Sequence, residues 1–233
     1  MVSSYTPTVS VLLDKVKSSD IERPPSKVLL VSQPNAPDLP PIPGTTREID
    51  ALSSKFDSNG CEFLRLDGSI ATVDRVKQEM ESYNLIHFAC HASQNVAYPL
   101  KSGFYLHDGR LELSEIMKRK FPRRELAFLS ACQTSTGDEN LSDEAVHLAA
   151  GMLAAGYQGV VATMWSIRDK YAPEIAENFY EYLMEKGKDE KNTRLKSADA
   201  AHALHHTIQC FRRKMGDRED ALLTWVPYVH FGL

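Results

Sequence analysis

Short apolar runs punctuate the chain at intervals. Lys27 to Ser32 (KVLLVS), Leu85 to Cys90 (LIHFAC), Leu126 to Ala131 (LAFLSA) and Gly159 to Trp165 (GVVATMW) are near-continuous apolar segments of strand length. Runs of this kind predict strands whose two faces are both covered. Glu62 to Leu66 and Trp225 to Phe231 read as further strands. Helical spacing fills the gaps at 45–59, 72–82, 142–155, 171–186 and 197–215. Thr45-Thr46-Arg47-Glu48 has the residue types of a capping box, its hydroxyl and carboxylate able to satisfy the first free amides. Gly60 stops that helix, and Ser142 and Gly156 bound a later one. Asp108-Gly109, between Gly103–His107 and Arg110–Leu113, predicts a hairpin. Ser114 can cap a short helix through Lys120. A proline-rich loop runs from Pro34 to Gly44, and the charged stretch from Gly187 to Lys196 reads as a mobile surface loop.

This repeated strand–helix order predicts an α/β fold: one compact domain with a mostly parallel central sheet flanked by helices on both faces. No internal repeat is visible. In such sheets chemistry gathers at the carboxyl ends of strands.

Composition narrows the function classes. The 233 residues are 42% hydrophobic and 25% charged with a net charge of -4, the balance of an ordinary globular protein. The basic runs at 118–124 and 211–214 are short and read as solvated, so no nucleic-acid partner is expected. No apolar run approaches a membrane span, and the first residues do not read as a secretory signal. The four cysteines, Cys61, Cys90, Cys132 and Cys210, form no C-x-x-C pair, which predicts a reducing, cytoplasmic setting.

Two of the predicted strands end on reactive residues. LIHFAC leads into His91-Ala92, and LAFLSA into Cys132-Gln133-Thr134. A cysteine attacks a carbonyl as its thiolate and needs a base beside it, a task suited to histidine. The amides of Cys132 and Ala92, expected just past the strand ends, are candidate donors to an oxyanion. Taken alone, the pair reads more readily as a buried apolar cysteine and a hydrogen-bonded strand-end histidine than as a catalytic pair.

HFACHA at 87–92, LSACQTSTG at 129–137 and DEAVHLAAGMLAAGYQGVVATMWSIRD at 143–169 together resemble the CHAT family, which is related to caspases and separases. The resemblance extends to SSYTPTVSVLL at 3–13 and WVPYVHFG at 225–232, so it spans nearly the whole chain. It implies a caspase-like fold over 1–233 and peptide-bond hydrolysis by a cysteine endopeptidase without cofactor or metal. His91 matches the family's general base and Cys132 its nucleophile. The partner it implies is a protein or peptide substrate. Because such domains commonly follow TPR repeats, a TPR region or regulatory partner in a longer protein is a further expectation. The family usually has glycine after the histidine; here the residue is Ala92, whose methyl group has the reach to crowd a substrate. Trp165-Ser166-Ile167-Arg168-Asp169 resembles the separase segment W-D-V-T-D. That likeness casts Ser166 and Asp169 as substrate-binding residues favouring a basic side chain before the cut. Asp169 is also well suited to cap the helix beginning near Tyr171.

Other signals are weaker. His87 and His91 are four apart, but on a strand that separates them by about 13 Å, so His87 reads as structural. Cys90 alternates with His91 and reads as core. His202, His205 and His206 share one helical face with no carboxylate to complete a metal site. Asp138-Glu139 reads as a solvated loop or a contact for a cationic substrate. The rival functional class is a non-catalytic caspase-like adaptor. Retention of both dyad residues favours the enzyme, and no glycine-rich phosphate loop follows a strand.

Overall fold

The computed structural model describes residues 2–5, 25–95, 97–118, 124–133, 145–164, 167, 170–189, 192–193, 195–216 and 219–232. In chain order the elements are β1 (Lys27–Ser32), α1 (Gly44–Ser58), β2 (Glu62–Asp67), α2 (Val73–Glu79), β3 (Leu85–Ser93), β4 (Gly103–Tyr105), β5 (Arg110–Glu112), α3 (Leu113–Met117) and β6 (Leu126–Gln133). They continue with α4 (Ala145–Ala154), β7 (Gly159–Thr163), α5 (Ala172–Gly187), β8 (Lys188–Asp189), β9 (Asn192–Thr193), α6 (Ala200–Met215), α7 (Glu219–Trp225) and β10 (Tyr228–Gly232). The central sheet has eight strands, ordered β10-β7-β6-β3-β1-β2, with the β4–β5 hairpin attached to β3. β1, β2, β3, β6 and β7 run parallel; β10 is antiparallel to β7.

Alternation along the strands builds two cores. Ile86, Phe88, Cys90 and Ala92 of β3 face one side, where Val76 of α2 and Met152 of α4 cover them. Leu85 and Ala89 of β3 and Phe128 of β6 face the other, against Ile49 and Phe56 of α1, Phe179 of α5 and Phe211 of α6. Helices therefore cover both faces, as the sequence predicts, and Cys90 is core.

Several local expectations are corrected. α1 starts at Gly44 behind Pro43, which makes no side-chain cap bond. Thr45 Oγ1 instead donates backwards to the Ile42 carbonyl at 2.8 Å, and Glu48 is turned into the core, so the capping box does not form. α1's inward stripe of Thr45, Glu48, Ile49, Leu52 and Phe56 explains this: position 48 lies on the buried face. Ser114 does not cap α3; its hydroxyl bonds Glu112. The stretch after Gly187 is not loop throughout, because β8 pairs with β9. Trp225 ends α7, and the last strand begins only at Tyr228. The Asp108-Gly109 turn forms, but it docks on the start of α2, where the Asp108 carboxylate accepts from the Val73 amide at 2.8 Å. The root of the hairpin, not its turn, stands beside β3's carboxyl end.

Candidate active site

The apolar runs understate β3 and β6. Both continue through the motif residues, and the parallel register pairs His91 with Cys132 and Ala92 with Gln133. Residues paired across parallel strands share a face of the sheet, and neighbouring strands lie about 4.8 Å apart. Positions 91 and 132 are thus immediate neighbours at the carboxyl end of the two central strands. The two amides expected beyond the ladder stand within it, since Ala92 also registers with Phe104 of β4.

The His91 side chain is 4% exposed, and its Nε2 lies 2.7 Å from the carbonyl oxygen of Pro40. A carbonyl can only accept, so Nε2 carries the hydrogen and donates it. The other nitrogen, Nδ1, has no hydrogen-bond partner among the described residues. In the neutral ring Nδ1 is then the basic nitrogen, the one able to take a proton from a neighbour. Pro40 lies in the loop between β1 and α1, and that loop is closed on itself. The Ile42 amide donates to the Pro34 carbonyl at 2.9 Å, and the Gln33 amide to the Ala89 carbonyl of β3 at 3.0 Å. Prolines at 34, 37, 40, 41 and 43 fix φ at five of its positions. Sequence reasoning missed Pro40 because its contribution is a main-chain oxygen, which leaves no side-chain signature. The available signal was a proline run placed directly after a strand's carboxyl end.

Lower on the same two strands lies a second polar group. Glu48, 1% exposed, divides its carboxylate between two strands: Oε1 accepts from His87 Nε2 at 3.0 Å and Oε2 from Ser130 Oγ at 3.0 Å. His87 is wholly buried and stacked on Phe128, with ring centroids 4.9 Å apart and 11° between planes. His87 is structural, as expected, but its partner was not foreseen. Burial, and secondarily the Glu48 charge, push the Tyr180 hydroxyl well above its ordinary range, so it stays protonated beside this pair.

At the top of β3, Arg110 reaches across Gly103 to donate to Ser93 Oγ at 3.2 Å and to Glu112 at 3.0 Å. That guanidinium holds the Glu112 carboxyl below its usual range. Gly103 is obligatory here, since a Cβ on it would meet the Leu111 carbonyl oxygen at 2.3 Å.

Of the remaining sequence candidates, Ser166, Asp169, Asp138, Glu139 and the Ser142 cap lie outside the described residues. Ala92 is wholly buried, and its methyl belongs to the core on the face opposite His91, so it does not crowd that side. Ala92→Gly should therefore leave peptide turnover within about twofold while lowering stability by about 1 kcal/mol, as lost packing and added chain freedom require. Parallel kinetic and denaturant measurements check this. A large rise in turnover would put the methyl in the substrate's path after all. His202 and His206 are exposed on α6, with His206 Nε2 3.5 Å from Cys210 Sγ. No cluster of three metal-competent side chains occurs among the described residues. Nor is any described helix long and apolar enough to cross a membrane.

A parallel sheet with helices on both faces, carrying histidine and cysteine in register at its carboxyl end, defines a caspase-like fold. Residues 2–233 match the CHAT domain, and the chain belongs to that family. Solved structures agree on the fold. The Arg-specific cysteine proteinase gingipain R (RgpB) is 12% identical with a TM-score of 0.57, over 96% of this chain and 51% of that one. The complex of Porphyromonas gingivalis RgpB pro- and mature domains gives 9% identity and 0.57, over 96% and 52%. Saccharomyces cerevisiae separase, in its complex with securin, is 13% identical with a TM-score of 0.60, over 100% of this chain and 14% of that one. The chain thus spans about half of the gingipain and a small part of the separase. No curated protein sequence matches it.

Proposed function

We propose that this domain is a cysteine endopeptidase working through a Cys132–His91 dyad. The observation that carries the reading is the register pair of His91 and Cys132, together with the Pro40 carbonyl that holds Nε2–H and leaves Nδ1 as the base. In this mechanism Nδ1 takes the proton of the Cys132 thiol. The sulfur attacks the scissile carbonyl carbon, and the imidazolium returns the proton to the leaving amine. Water, deprotonated by His91, then hydrolyses the thioester and frees the enzyme. Charge on the carbonyl oxygen falls to the amides of Ala92 and Cys132. Both are in the ladder in the free protein, so the reading requires the last rungs between β3 and β6 to part when substrate arrives.

The substrate is a peptide or protein. A basic residue before the cut is the proposed preference, resting on Asp169 and Ser166 in the segment that resembles separase; the Arg specificity of gingipain R belongs to that protein and is in line with it. A carboxylate at the base of such a pocket would hold a guanidinium by charge-assisted hydrogen bonds. Incubation with a diverse peptide library, followed by sequencing of the products, tests both claims. Cleavage should require Cys132 and should favour Arg or Lys, and Asp169→Ala should reduce that preference about tenfold or more. Products that persist in Cys132→Ala would overturn the mechanism. Equal cleavage after basic and apolar residues would remove the pocket.

A further inference from the structure

Glu48 is the one carboxylate on the inward stripe of α1, and burying it has a cost. A charge taken from water is recovered only by good geometry and satisfied oxygens, and an apolar side chain of similar volume is often as stable in its place. Stability alone therefore does not account for it, whereas its geometry suggests another use. Its two oxygens are shared out, one to His87 on β3 and one to Ser130 on β6. These are the strands that carry His91 and Cys132, and Ser130 precedes Cys132 by two residues on the same strand.

The contact path from Glu48 also leads to His91 by a second route. Glu48 belongs to the first turns of α1, where the Thr45 amide and hydroxyl both donate to the Ile42 carbonyl, at 3.1 and 2.8 Å. Ile42 in turn closes the proline loop on Pro34, and that loop holds the Pro40 carbonyl against His91 Nε2. The path runs from His87 to Glu48, through α1 and the loop to Pro40, and back to His91. It starts and finishes on β3, four residues apart.

We infer that Glu48 is a positioning residue: it seats α1 on β3 and β6 so that the Pro40 carbonyl fixes the His91 tautomer and the two strands hold the dyad in register. This rests on the proposed dyad, but its primary readout does not need turnover. The protein is labelled with ¹⁵N-histidine, and the His91 ring is read by long-range ¹⁵N–¹H correlations at mildly alkaline pH, assigned through loss of the signal in His91→Gln. Wild type should give the Nε2–H form. Glu48→Leu, which keeps the volume, should give a mixture of both tautomers. Its kcat should fall by about 10- to 100-fold with KM within about threefold, the scale expected for misplacement near 1 Å. Glu48→Gln, which can accept from His87 and donate to Ser130, should restore the single tautomer and most of kcat.

An unchanged His91 tautomer in folded Glu48→Leu overturns the inference. So does a Glu48→Gln protein that behaves like Glu48→Leu. If Glu48→Leu does not fold, Ser130→Ala removes one of the two anchors and should shift the tautomer balance in the same sense; no shift there is equally fatal. Failure of the dyad itself looks different, since turnover would then be absent or independent of Cys132 in wild type while the tautomer result stands.

Discussion

Cys132→Ala is expected to abolish peptide turnover, by at least ~10⁴-fold, with a thermal midpoint within about 2 °C of wild type. The rate loss follows from the proposed covalent catalysis: without sulfur no thioester forms, and neither the base nor amide donors can replace a missing nucleophile. The stability is spared because one sulfur atom is removed and the backbone pairing of position 132 with His91 is kept. His91→Ala should lose nearly as much, and the double variant hardly more, since the two groups act as a unit. Alkylation by iodoacetamide, mapped by mass spectrometry, gives an independent check. Cys61 and Cys90 are buried, and burial pushes the Cys61 thiol up, so both should label slowly beside Cys132. Turnover surviving at more than about 1% of wild type in the Cys132 variant would place the chemistry on another group.

Phe128→Ala should be the most damaging single truncation in the core, costing about 3–5 kcal/mol. Phe128 is wholly buried on β6. Its ring stacks on His87 and meets Phe179 with centroids 5.0 Å apart, Tyr180 at 5.9 Å and Tyr228 at 6.4 Å. It therefore joins the central strands to α5 and β10. Domains of this size unfold with a stability of about 5–15 kcal/mol, so the loss is a large share, equivalent to roughly 6–20 °C in midpoint. Chemical denaturation measures it directly, and a cost below about 1 kcal/mol would mean that the site collapses onto the gap.

The order of strands was readable because both faces of the sheet are covered. KVLLVS and the GVVAT part of GVVATMW coincide with β1 and with β7, and alternation correctly put Cys90 in the core. The lengths of β3 and β6 were not readable, because polar residues at the carboxyl end of a sheet can stay paired while the apolar pattern stops at Cys90 and Ala131. Glu48 was misread for a related reason. A Thr-x-x-Glu string carries the same letters whether it caps a helix or lies one turn inside it, and only the buried stripe through Ile49, Leu52 and Phe56 separates the two. Pro40 was out of reach altogether, as its acceptor is common to every residue. The proposed dyad was legible because strand-end placement singled out His91 and Cys132 and the resemblance to the CHAT family gave them roles; Pro40 and Glu48, proposed to orient it, lie in a loop and on a helix whose approach to the sheet is a tertiary fact.

The outermost strand of the sheet has a cover of its own. β10 would otherwise present a free edge, but Tyr5 pairs with it: the Tyr5 amide donates to the His230 carbonyl at 3.0 Å, and the Gly232 amide to the Tyr5 carbonyl at 2.8 Å. Ser4 adds bonds to His230 Nδ1 and to the Gly232 carbonyl, both at 2.8 Å. An uncovered, flat strand edge is an adhesive surface that recruits the same edge of another molecule. Ser4 and Tyr5 therefore occupy part of that edge. Trimming them should raise the tendency of the protein to associate with itself, a change that light scattering would read.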